Sequence, residues 1–294
     1  MDNAIMLELR KVSQHFYIHK NLTVKAVDEL DLTIRRGEVL GLVGESGCGK
    51  STVARMIAGI YQPTAGEVVF GGRGKPRVQL IFQDSAAALN PRMSVAEIIL
   101  EPLRIQGQDY KSPAIRRRMA ELMEQVGLAE RLAGKLPGEL SGGQRQRAAI
   151  ARSLMVQPEL LVADEPIASL DISIQAQIIS LMQRLQKAYN FTLLFIAHDL
   201  SVVRYISQRT GVMLKGKLVE LAPTEELFGH PEHPYTKALL SAIPVPDPLY
   251  ERQKQILDYD TRQPLGREMC EKRPGHFVRV ISDGHIDRVS GQIE

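Results

Sequence analysis

The apolar and polar positions divide the chain into segments of different period. Residues 6–43 read as short strands: Val24–Leu32 mixes apolar and acidic residues in rough alternation, and Val39–Val43 is a short, fully apolar run. From Lys50 the pattern changes to helical, through Val53, Met56 and Ile57, and Gly59 supplies a C-terminal stop. Pro63 and Gly66 predict a turn over Tyr61–Gly66, and Val78–Phe82 predicts another strand. Over residues 95–157 apolar side chains recur at helical spacing, punctuated by Pro102, Pro113, Gly127, Pro137 and Gly138, as in a helical insertion. Leu160–Ala163 and Thr192–Ile196 return to strand, and Lys215-Gly216-Lys217 between apolar runs predicts a hairpin over Val212–Leu221. Strands alternating with helices predict an α/β fold with a mainly parallel sheet covered by helices. No internal repeat is present.

From His230 the composition shifts, with six prolines between Pro231 and Pro264. This predicts a main unit over residues 1–229 and an extension over 230–294, packed on that unit or trailing from it. The 294 residues suffice for such an arrangement. Apolar residues at 44% and charged residues at 24% are ordinary for a soluble globular protein. No run approaches the roughly 18 apolar residues of a membrane span, and Met1–Met6 does not read as a secretory signal. A net charge of +3 argues against a nucleic-acid partner, and Arg116-Arg117-Arg118 reads as a solvated helix face. Cys48 and Cys270 lie far apart and neither belongs to a CxxC pair, which favours a reducing compartment over disulfides or structural zinc.

Candidate chemistry begins at Gly44-Glu45-Ser46-Gly47-Cys48-Gly49-Lys50-Ser51, which fits G-x-x-x-x-G-K-[ST] between a predicted strand and a predicted helix. The glycines let the backbone turn tightly around phosphate oxygens, and the helix start favours an anion. Lys50 offers a compact positive charge to the outer phosphates and Ser51 a hydroxyl to magnesium. Leu160–Ala163 ends in Asp164 and Glu165, followed by Pro166. Successive strand residues face opposite ways, but a bend at the strand end allows both acids to serve one site. Asp164 is then placed to hold magnesium through water, and Glu165 to orient and polarise an attacking water.

Leu140-Ser141-Gly142-Gly143-Gln144 resembles the signature of ABC-type ATPases. Gln83 after a strand resembles the Q-loop glutamine, Ser169-Leu170-Asp171 the D-loop, and His198 the switch histidine. Their order matches the family over about residues 6–230. The resemblance implies a P-loop NTPase with a RecA-like core, an antiparallel β subdomain, a helical subdomain over about residues 90–157 and a C-terminal extension. It implies ATP and Mg2+ as ligands, with Glu165, His198, Gln83 and Lys50 in catalytic roles and Ser51, Gln83 and Asp164 toward the metal. Nucleotide contacts carry over to Gly44, Glu45, Ser46, Gly47, Cys48, Gly49, Lys50, Ser51, Thr52, Gln83, Asp164 and Asp171. Ser141, Gly142, Gly143 and Gln144 carry over as well, because in the family the signature of one subunit faces the phosphate loop of another in a head-to-tail dimer. Phe16 stands at about the place of the aromatic that stacks on adenine, with Tyr17 as its neighbour and competitor.

Phe228–Leu240, Ile243–Pro248 and Asp84–Arg92 resemble segments of the oligopeptide/dipeptide/nickel importer ATPases, and most closely the F-type ATPase subunit of peptide importers. This implies a second ATPase subunit, two transmembrane permease subunits, an extracytoplasmic solute-binding protein acting indirectly, and a peripheral position on the cytoplasmic side of the inner membrane. Many members carry a cysteine cluster in this tail that holds an iron–sulfur centre. Such a centre takes four thiolates, and only Cys270 is present near Pro274-Gly275-His276, so none is expected. His230 and His233 each precede a proline and read as structural. An ABC ATPase of a nucleic-acid, ribosomal or phosphonate-metabolism complex is the competing class; the tail, the single ATPase unit and the lack of a basic tail argue against it.

Overall fold

The computed structural model describes residues 4–19, 22–72, 74–83, 88–244 and 254–281. Two sheets organise them. β1 (Ile5–His19), β2 (Leu22–Arg35) and β4 (Ala65–Phe70) form an antiparallel sheet in the order β2-β1-β4. β1 and β2 are long, where short strands were expected. Bulges explain the difference: Lys11 and Glu29 adopt positive φ and the β1–β2 register shifts between Leu9 and Val12, so the apolar alternation restarts inside one strand.

The second sheet runs in the order β10-β11-β9-β8-β3-β7-β6-β5 among the described residues. Its parallel part joins β3 (Val39–Val43), β5 (Val78–Ile81), β6 (Leu160–Asp164), β7 (Thr192–Ile196) and β8 (Arg209–Leu214). Every residue of β3, β6 and β7 is buried, as expected of strands covered on both faces. α1 (Lys50–Ile57) follows β3, α5 (Ile172–Tyr189) follows β6, and α6 (Leu200–Ile206) follows β7. β9 (Lys217–Pro223) returns from β8 through the expected hairpin, with Leu214 paired to Lys217.

The insertion is helical as expected, with α2 (Val95–Ile105), α3 (Pro113–Gln125) and α4 (Gly142–Leu154). Ser94 and Glu97 form a reciprocal capping box on α2. Pro102 does not punctuate this region but lies buried inside α2, and the helix runs through it. Arg116 and Arg117 are exposed on α3, whereas Arg118 is half-buried and donates to the Leu154 carbonyl at 3.3 Å. The triple-arginine run is therefore a solvated face at two of its positions only.

The extension is packed, not trailing, as far as it is described. α7 (Thr224–Gly229) and α8 (Pro234–Ser241) follow β9, and the β10 (Leu265–Arg273)–β11 (His276–Ile281) hairpin joins the main sheet by pairing Phe277 with Leu221 and Val278 with Glu220. The sheet thus runs across the position-229/230 shift in composition. A Cβ on Gly266 would lie 1.7 Å from the Val280 carbonyl oxygen, so the hairpin closes only around glycine there. Asp84–Ala87 and Val245–Pro248, parts of two motifs singled out above, lie outside the described residues.

Candidate active site

The phosphate loop connects β3, the strand between β7 and β8, to the start of α1. Two glycines are required by close approach. Gly44 has φ 148° and a Cβ there would sit 2.3 Å from the Met213 carbonyl oxygen; Gly49 has φ 109° and its Cβ would sit 2.2 Å from that of Ala26. The Thr52 N–H closes the first turn onto the Gly49 carbonyl at 3.0 Å. A helix start leaves N–H groups without intrahelical acceptors, which suits an anion.

Lys50 is 4% exposed, and its ammonium donates to the Gly44 and Glu45 carbonyls at 2.7 and 2.9 Å, beside Cys48 Sγ at 3.6 Å. Burial pushes the Cys48 thiol up, so it stays protonated and inert. Glu45 departs from the expectation of an N–H aimed at phosphate: that N–H donates to the Tyr235 hydroxyl at 3.1 Å. The β8–β9 turn braces the loop from another side, with Gly216 N–H on the Cys48 carbonyl at 2.9 Å.

Carboxylates close the site. Ser51 Oγ donates to Asp164 Oδ1 at 3.0 Å. Asp164 is 1% exposed, and burial pushes its carboxyl above the usual range against the opposing effect of the Ser51 bond. Glu165 has φ 46°, and this left-handed residue provides the bend that brings consecutive acids into one region. Its N–H donates to the Ile196 carbonyl at 3.0 Å, locking the bend to β7. Glu165 Oε2 accepts from Gln83 Nε2 at 3.1 Å and lies 3.2 Å from His198 Nδ1. Gln83, Glu165 and His198 thus converge from just beyond β5, β6 and β7, at the carboxyl ends of the strands, where open α/β sheets bind ligands.

A cleft of about 390 Å³ contains Gly47, Lys50, Ser51, Gln83 and Glu165 in its wall. Lys25 and Lys215 line it too, and sequence reasoning missed both. Lys25 sits in a strand of mixed pattern, and Lys215 was legible only as part of a turn. Phe16 does not line the cleft, but it pairs in register with Val24, which does, and packs edge-on against Tyr61 at 5.5 Å between centroids. Tyr17 is 75% exposed.

The signature residues and Asp171 lie outside the walls of this cleft. Ser141 caps α4, its Oγ accepting from Gln144 N–H at 3.3 Å while Gln144 Oε1 accepts from Ser141 N–H at 2.9 Å. A Cβ on Gly143 would approach Ile174 Cγ2 to 2.9 Å, so the signature helix packs tightly on the start of α5, which Asp171 precedes as N-cap. Ile172 beside it is 85% exposed.

Comparisons with known proteins place the chain in a family. Residues 27–168 match the ABC transporter family, and residues 219–266 match the oligopeptide/dipeptide transporter C-terminal region. The chain is 52% identical over 291 residues to the oligopeptide transport ATP-binding protein OppF of Bacillus subtilis, covering 93% of this chain and 95% of that one. It is 47% identical over 294 residues to the OppF protein of Streptococcus mutans, covering 95% of each. Among solved structures, it resembles a dimeric ATP-binding cassette in a post-hydrolysis state bound to ADP and Pi, at TM-score 0.66 and 28% identity over 74% of this chain and 99% of that one. Strand-end carboxylates facing a phosphate loop, a signature helix outside the cleft and these relatives give one answer: the chain belongs to the ATP-binding subunits of ABC transporters and is an ATPase coupled to transport.

Proposed function

We propose that this chain hydrolyses ATP to drive an importer of peptides or related small solutes, as one of two ATPase subunits docked on the cytoplasmic face of the inner membrane. The observation that carries the catalytic reading is Glu165, held between Gln83 and His198 at the rim of the phosphate loop. The peptide class is supported by the names of the relatives and by the matching C-terminal region. No helix among the described residues is long and apolar enough to cross a membrane.

In this reading Lys50 leaves the Gly44 and Glu45 carbonyls for the outer phosphates, and the loop N–H groups hold the remaining oxygens. Glu165 orients the attacking water, and His198 holds Glu165 and the γ-phosphate in register. Ser51 and Asp164, already bonded to each other, would hold a magnesium ion together with Gln83, and such an ion would supply neutralisation of phosphate charge. Phe16 or Tyr17 stacks on adenine. Ser141–Gln144 and Asp171 complete the site of the second ATPase subunit, whose own signature completes this one. An iron–sulfur centre is not part of the proposal, because Cys48 sits in the loop and Cys270 stands alone on β10. An external binding protein supplies the solute, and no nucleic acid takes part.

Glu165→Gln should retain ATP binding while lowering hydrolysis at least a hundredfold, and should accumulate an ATP-bound dimer with its partner. Phosphate release and size-exclusion chromatography check this, and normal turnover in that variant would remove Glu165 from the assigned role.

A further inference from the structure

Among the described residues, the extension bonds to the phosphate loop through the Tyr235 hydroxyl. Tyr235 on α8 is 1% exposed, and burial raises its phenol well above the usual range, so it stays neutral. Its oxygen accepts the Glu45 N–H at 3.1 Å, while the Glu45 carbonyl accepts from Lys50 Nζ at 2.9 Å. The Gly44–Glu45 peptide is therefore held on both sides, its N–H by the extension and its Gly44 carbonyl by the phosphate-binding lysine at 2.7 Å.

Tyr235 is itself held by distant parts of the chain. His233 caps α8, its Nδ1 accepting the Tyr235 N–H at 3.1 Å. Glu220 on β9, 0% exposed, accepts the His233 N–H at 3.0 Å, the Glu232 N–H at 2.8 Å and His276 Nε2 at 2.7 Å. His276 opens β11. A line of hydrogen bonds thus runs from the C-terminal hairpin through Glu220 and His233 to Tyr235, and on to the loop. Tyr259 packs against both rings, at 5.6 Å from Tyr235 and 5.8 Å from His233, yet its hydroxyl bonds to nothing among the described residues.

We infer that Tyr235 is a positioning residue for nucleotide binding: the extension sets the entry of the phosphate loop by holding Glu45, and so makes nucleotide affinity depend on the docked tail. This rests on the reading of Gly44–Ser51 as the phosphate cradle. Removing the hydroxyl leaves the Glu45 N–H without its acceptor and lets the Gly44–Glu45 peptide turn, so the loop that follows is no longer held in one shape for a phosphate group to meet. One neutral hydrogen bond of this kind corresponds to about a three- to tenfold change in an equilibrium.

The test is calorimetric titration of the purified full chain with Mg-ATP, together with steady-state hydrolysis. Tyr235→Phe should weaken ATP binding about three- to tenfold, with the loss in KM rather than kcat. Tyr259→Phe, in the same aromatic cluster with no bond to the loop, should bind ATP like the unsubstituted chain. Unchanged ATP affinity in Tyr235→Phe would overturn the inference even if its melting temperature fell, as would equal losses in both variants. Lys50→Ala separates the two levels: if it abolishes binding and Tyr235→Phe does not weaken it, the cradle stands and the role of Tyr235 falls. If Lys50→Ala binds ATP normally, the cradle and the inference fall together.

Discussion

Two carboxylates are buried in the same sheet and are bonded in opposite ways. Asp164, at the end of β6, accepts a single side-chain hydrogen bond among the described residues, from Ser51, and burial pushes its carboxyl up. Glu220, in the middle of β9, accepts from two backbone N–H groups and one imidazole. A desolvated acid with open coordination is costly by itself and becomes favourable when a cation arrives. A desolvated acid with its acceptor sites filled is a clasp. Burial alone therefore does not separate an acid left open to a ligand from a clasp; the number of donors already spent on it does.

The largest effect should come from breaking the clasp. Glu220→Ala strands the Glu232 and His233 N–H groups and His276 in a buried region, and should cost about 3–5 kcal/mol of folding stability, read from the midpoint of denaturant unfolding. A loss below about 1 kcal/mol would put Glu220 on the same footing as Asp164. Next comes the acid proposed to serve the site. Asp164→Asn should lower ATP hydrolysis about a hundredfold, or about 2.7 kcal/mol in the barrier, measured as phosphate release in magnesium; activity within about threefold of the parent would leave Asp164 with no more than a structural part.

The smallest effect sharpens the contrast in sign. Because burial raises the Asp164 carboxyl above its ordinary value of 3.8, the folded state holds that proton more tightly than the unfolded chain does. Stability then falls as pH rises through this window and stays lower at neutral pH. Without nucleotide, Asp164→Asn should therefore stabilise the protein at neutral pH, by on the order of 1 kcal/mol, and the advantage should vanish below pH 3.8. Thermal melts of both proteins across pH check it, and a destabilised Asn variant at neutral pH would show that Asp164 too is a clasp.

Much of the architecture was legible because its signals are local. The buried runs of β3, β6 and β7, the β8–β9 turn and the helical insertion follow from periodicity and turn chemistry over a few residues. The long β1 and β2 were not, because positive-φ bulges at Lys11 and Glu29 cut their alternation. Pro102 was misplaced for a related reason: local rules see a helix breaker, whereas α2 runs through it with Pro102 buried.

The sequence by itself determined the phosphate loop, the paired acids, the signature and the order of Gln83, Asp164, Glu165, Asp171 and His198, since each is a contiguous backbone motif or a strand end. Tertiary structure decided what these residues meet. It turned Glu165 at φ 46° toward Gln83 and His198, brought Lys25 and Lys215 to the cleft, and spent the Glu45 N–H on Tyr235, nearly two hundred residues away. The division has a physical cause. Backbone conformation is governed by near neighbours, whereas desolvation and the supply of hydrogen-bond partners depend on which distant segments the fold brings together.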